Sequence, residues 1–203
     1  MKAQDNLSTV SDLLQATRTG ELVSLTAPVE SPNGGVLIGY ARGPDSLHCA
    51  EVSFEEFRSA ASDLYARITA PRGFHGLKRI WEYLDERKWW TDQGRANHFN
   101  LHNIIDTRLM AYLLDPDNSR ETDFGEYAVQ EELTVAQVAH RYLGYEYPYR
   151  VTDISKAPSK RLMAELLSID AGLIFQLAEK LPSLMAPDLI RLYRHIELPH
   201  AGS

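Results

Sequence analysis

Apolar positions in this chain follow two spacings, and the switches between them mark out the elements. Leu13 and Leu14, within Ser11–Thr17, predict a short first helix that Gly20 stops. Three short apolar runs follow, at Glu21–Ala27, Val36–Arg42 and Leu47–Val52. Pro28–Gly35 and Gly43–Ser46 between them are rich in turn formers. The runs therefore predict an antiparallel meander of three strands. At Ser53 the spacing becomes helical. Phe54, Phe57, Ala61, Leu64 and Ile68 share one face, and Ser53 with Glu56 three residues on forms a capping box.

Pro71-Arg72-Gly73 breaks that helix, and Gly73–Gly76 predicts a short buried strand or loop. Leu77–Arg87 reads as a helix and Trp89–Asn100 as a loop. Leu101–Asp117 then holds strand, cap, helix and stop in sequence. Leu101–Ile105 is an apolar run with β-branched residues, Asp106-Thr107 offers capping oxygens, and Leu109, Met110, Tyr112, Leu113 and Leu114 give a helical apolar face. Asp115-Pro116 ends it, because a residue before proline is pushed out of the α region. Further helices are predicted at Asp123–Glu132, at Thr134–Leu143 with Gly144 as C-cap, at Ser159–Leu181 ended by Pro182, and at Asp188–Ile196. Tyr145–Pro158 reads as irregular. Strands first, then helices interleaved with one or two more strands, then helices alone predict an α/β fold. Its mixed sheet has about five strands flanked by helices.

Composition narrows the function classes. The 203 residues fit a single domain, 1–203, with residues 1–10 expected as a flexible lead. A net charge of −7 argues against broad binding to duplex DNA, which needs many cations on phosphates. The single cysteine, Cys49, reads as a small buried apolar residue and fits a reducing, intracellular setting. Neither a signal-peptide core nor an apolar run of membrane-spanning length is present, so a cytoplasmic protein with no membrane partner is expected. The seven histidines show no paired zinc spacing, and neither a phosphate-binding P-loop nor a Gly-x-Ser-x-Gly elbow occurs.

Four segments in order carry a resemblance. They are IIDTRLMAYLLDPD, VAQVAHRYLGY, LLSIDAGLIFQLAEKL and LIRLYRHIELP. Together they resemble the proofreading 3′–5′ exonuclease domain of family A DNA polymerases and its ribonuclease D-like relatives. The similarity runs from about Ser11 to Pro199, and the chain stops four residues later, so it resembles the exonuclease module without a polymerase. The resemblance implies a ribonuclease H-like sheet. It also implies four carboxylates holding two Mg²⁺ or Mn²⁺ ions, which activate a water and steady the charge on a phosphate.

Matched residue by residue, most of those acids are missing. The family's first strand carries Asp-x-Glu where this chain has Thr26-Ala27-Pro28. Glu30 lies two residues further on. The third acid falls at Ile80, in Gly76-Leu77-Lys78-Arg79-Ile80. The third segment keeps Asp170, but the Tyr or His four residues earlier is Leu166. Asp170 and Glu30 are thus vestigial candidates, and no metal or other cofactor is expected unless acids elsewhere complete a site. For nucleic acid, His75, Lys78 and Arg79 are candidates to touch phosphates, the bland reading being a solvated helix start. Trp89 and Trp90 are candidates to stack bases. Trp81 reads as core. Glu146–Arg150, rich in tyrosine, is either a contact surface or a cover over the core.

Three readings stand. The first is an exonuclease-like domain without catalysis that holds single-stranded DNA or RNA. The second is the same scaffold holding a partner protein. The third is an active metal-dependent 3′–5′ exonuclease with relocated ligands, such as Glu30 with Asp170 and another acid.

Overall fold

The structure is a computed structural model, and it describes residues 7–89, 103–116, 133–149 and 153–197. Trp90 and the helix expected at Asp123–Glu132 lie outside the described residues. The elements in order are α1 (Val10–Ala16), β1 (Val23–Leu25), β2 (Val29–Glu30), β3 (Val36–Ala41), β4 (Leu47–Val52), α2 (Phe54–Tyr65), β5 (Arg72–Phe74) and α3 (Leu77–Glu86). Then come β6 (Ile104–Asp106), α4 (Thr107–Leu114), α5 (Val135–Leu143), α6 (Lys160–Leu184) and α7 (Pro187–Leu192).

The strands form one mixed sheet. β4 pairs antiparallel with β3, and β3 pairs antiparallel with both β1 and β2. β1, β5 and β6 run parallel. Because β1 and β2 lie end to end along β3, six strands occupy five positions. This is the ribonuclease H-like arrangement, an α/β mixed sheet flanked by helices. Every residue of β3 is buried, so both faces of the sheet are covered there.

The long helix α6 sits close on the sheet because the residues beneath it are small. A Cβ added at Gly39 of β3 would lie 2.1 Å from the Leu167 carbonyl oxygen. The Ser24 hydroxyl of β1 donates to the Ala171 carbonyl at 2.6 Å. Pro182 does not end this helix as its chemistry suggests, since α6 continues to Leu184. A proline in the final turn costs only the one bond its missing N–H would have made, and the chain stops soon after.

The stretch Pro28–Gly35 is not all turn. Val29 and Glu30 pair with Leu37 and Val36, and the tight turn is confined to Ser31–Gly35, where the Ser31 N–H donates to the Gly35 carbonyl at 3.0 Å. At the chain's start, the Ser8 N–H donates to the Cys49 carbonyl and the Ser8 carbonyl accepts from the Glu51 N–H. The chain is therefore held on the β4 edge from Ser8, inside the lead expected to be flexible.

Asp106 works as the predicted cap and does more. Its carboxylate accepts N–H groups from Arg108 and Leu109 at the start of α4 and from Gly76 and Leu77 at the start of α3. One buried side chain thus satisfies the free donors of two helices. No helix among the described residues is long and apolar enough to cross a membrane.

Candidate functional site

A cleft of about 990 Å³ opens beside β2. Its walls are Pro28–Pro32, the end of α3 at Tyr83 and Arg87, the turn Asp153–Ala157, and Met163 of α6. Glu30 stands on one wall and forms an ion pair with Arg87 on the other. The Arg87 guanidinium lies over the ring of Tyr83 at 4.7 Å and that of Trp89 at 5.4 Å, a cation–π ledge. Asp153 pairs with Lys156 at 3.1 Å. Each of these two cations in the cleft is matched by an acid.

The cleft borders a defect in the sheet. β1 and β3 are in register at Leu25 and Tyr40, and β2 and β3 at Val29 and Leu37. Between these points Thr26, Ala27 and Pro28 face only Ile38 and Gly39, which is a β-bulge. Pro28 has no N–H for the ladder. Thr26 repairs the gap: its hydroxyl accepts the Gly39 N–H at 2.9 Å and donates to the Ala27 carbonyl at 3.0 Å. Its N–H donates to the Gly39 carbonyl, and its own carbonyl accepts from the Tyr65 hydroxyl at 2.8 Å. Every hydrogen-bonding group of Thr26 is used within the sheet and its supports.

The other matched positions are equally committed. Ile80 is 3% exposed in the main core, and Leu166 is fully buried against Leu37 and Cys49. Asp170 is half-buried on α6, where its Oδ1 accepts the Tyr147 hydroxyl at 2.8 Å. Burial pushes its carboxyl up to about 7, against the pull of that bond. Among the described residues no group of three or more His, Cys, Asp or Glu is placed to hold a metal ion. A pair of hard divalent cations needs several converging charged oxygens, and the described residues do not bring them together.

The nucleic-acid candidates separate. Lys78 and Arg79 are exposed on the first turn of α3. His75 is spent internally, since its Nε2 meets the Leu133 carbonyl at 2.6 Å and its Nδ1 meets the Thr107 hydroxyl at 2.9 Å. Burial lowers its ring to about 4, and a carbonyl only accepts, so the neutral ring carries its proton on Nε2. Trp89 is not an exposed platform. It is 7% exposed and packs edge-on to Phe57 and Tyr83 at 5.4 and 5.3 Å. Trp81 is core, as expected, with its indole N–H on the Tyr65 carbonyl. Cys49 is buried too, its thiol pushed up to about 12 by desolvation.

Arg87, Asp153 and Lys156 are not among the residues the sequence points to, and Tyr147 lies in the tyrosine-rich stretch expected as either contact surface or cover. Arg87 carries a visible signal, four residues after Tyr83 on one helix face. Tyr147 and Asp170 meet across 23 residues of sequence, and no local pattern reports such a contact. Tyr149, two residues on, gives its hydroxyl to Glu165 of the same helix at 2.8 Å. The tyrosine-rich segment is therefore a strap fastened along α6. No family model matches this chain, and no curated protein matches it.

Proposed function

We propose that this chain is a non-catalytic binding module on an exonuclease-like scaffold, and that its cleft takes a segment of a partner protein. The observation that carries the first half is the bulge at Thr26–Pro28. Where the resembled family places two metal-ligating acids, this chain has a threonine whose hydroxyl completes the sheet and a proline. The second half rests on the cleft itself. Glu30 matches Arg87 and Asp153 matches Lys156, so no excess of positive charge awaits a phosphate backbone. Val29, Ile154, Met163 and the Tyr83 ring add apolar wall, which suits a peptide.

The exposed Lys78 and Arg79 favour a second reading, in which a single nucleic-acid strand is held without being cut. One pair of measurements separates these readings. Labelled single-stranded DNA and RNA are incubated with the protein and Mg²⁺ or Mn²⁺, then titrated for binding across a salt series. The proposal expects no shortening and no binding at low salt. Binding that weakens with salt and with Lys78→Ala and Arg79→Ala would favour the strand-holding reading. Metal-dependent shortening abolished by Asp170→Ala would overturn both and establish an exonuclease.

A further inference from the structure

A second pocket, of about 250 Å³, lies between α1 and the β3–β4 ladder and shares no residue with the cleft. Ser8, Asp12, Gln15, Tyr40, Arg42 and His48 line it. It is smaller than the roughly 300 Å³ at which drug-sized pockets begin, so it suits a compact metabolite. Tyr40 and His48 are cross-strand partners, and their rings stack 4.9 Å apart at 22°, giving one flat wall. Ser46 holds the His48 ring through Nε2 at 3.0 Å.

The charges are arranged unusually. Asp12 takes the N–H and the hydroxyl of Thr9 on a single oxygen, Oδ2, at 2.9 and 2.7 Å. Its Oδ1 accepts no hydrogen bond among the described residues. Arg42 is exposed, and its guanidinium makes no ion pair among the described residues. The two opposite charges share one small pocket without joining within 4.0 Å. Burial first, and Arg42 next, keep the His48 ring below its ordinary value, with Asp12 pulling the other way. At pH 7 the imidazole is neutral and adds no competing cation.

We propose that this pocket binds a small zwitterion of the α-amino acid type, with its carboxylate on Arg42 and its ammonium on Asp12 Oδ1. A planar guanidinium offers two parallel N–H groups to a carboxylate, and an ionised carboxylate oxygen accepts strongly from an ammonium. The side chain of the guest lies along the Tyr40–His48 wall. The alternative is that water bridges the two charges and nothing else enters.

The test is a titration of the whole protein, followed by NMR at the His48 ring and the Gln15 side-chain amide. The probes are L-alanine, acetate and methylammonium. L-Alanine is expected to give saturable shifts, and each single-charge probe to bind at least roughly tenfold more weakly. Arg42→Gln, at an exposed position, is expected to weaken L-alanine at least roughly tenfold while leaving the rest of the spectrum in place. The proposal is overturned if L-alanine gives no saturable shift, if acetate alone matches it, or if Arg42→Gln binds it as the wild type does.

Discussion

The phenol of Tyr193 takes the place of a neighbouring strand at Asp106. Its oxygen accepts the Asp106 N–H at 2.8 Å and its proton goes to the Ile104 carbonyl at 3.1 Å. Tyr193 thus closes the β6 edge from the turn that follows α7, and it is 2% exposed. Tyr193→Phe keeps the ring and strands both backbone groups without partners. A loss of about 2–3 kcal/mol is expected, read as a lower urea midpoint with an unchanged slope.

Two half-buried groups pull the pH dependence of stability in opposite directions. Asp170 is raised from 3.8 to about 7, so the folded state holds a proton that the unfolded chain has lost. Its contribution is present below about 4 and disappears as pH rises to 7. His75 is lowered from 6.5 to about 4, so its contribution is present above 6.5 and disappears as pH falls to 4. Over the shared window the slopes offset each other, and the wild type should be nearly flat. Asp170→Asn removes the falling slope and still accepts from Tyr147. Its unfolding free energy should climb from pH 4 to 6.5 and stay on the order of 2 kcal/mol or more above wild type at pH 8. A variant curve parallel to that of the wild type would show that Asp170 titrates normally.

The end of α3 carries a correctable strain. Lys88 has φ 53°, in the left-handed region, and is the one described non-glycine residue there. Its N–H donates to the Asp85 carbonyl and the Trp89 N–H to the Leu84 carbonyl, a Schellman motif with lysine where glycine is usual. Lys88→Gly should stabilise by about 1 kcal/mol, measurable as a rise in melting temperature.

Arg72 of β5 is 1% exposed, and among the described residues only its Nη2 finds a partner, the Thr17 carbonyl at 2.6 Å. Nε and Nη1 are buried without one, and desolvation lowers the guanidinium to about 10. Arg72→Met retains the apolar stem and removes the buried charge, so it should fall within about 1 kcal/mol of wild type. Arg72→Ala leaves a cavity and should cost about 3 kcal/mol. Equal losses in chemical denaturation would mean that the charge itself holds α1 in place.

The parts legible in the sequence were those with local causes. The capping box at Ser53 and Glu56, the cap at Asp106 and the C-cap at Gly144 lie where their chemistry puts them. β3 and β4 follow from apolar runs between glycine-rich turns. β2 was hidden because Pro28 and Pro32 bracket it and read as turn. The burial of Trp89 is not legible, because Glu86, Arg87 and Lys88 before it are polar. A left-handed residue at Lys88 then swings the indole back under α2, and nothing in lysine announces that. Of the candidate site, Glu30 stands out in the sequence but its partner Arg87 does not, since an ion pair between β2 and the end of α3 depends on how the chain folds over itself.

The bulge beside the cleft also limits what acids placed in this stretch could do together. Two acids spaced i and i+2 point the same way only along an even strand. Here three residues span the room of two, so writing Asp at 26 and Glu at 28 would aim them apart. Building such a pair would first require a deletion between Leu25 and Val29, and the barrier is one of chain length before it is one of side-chain identity.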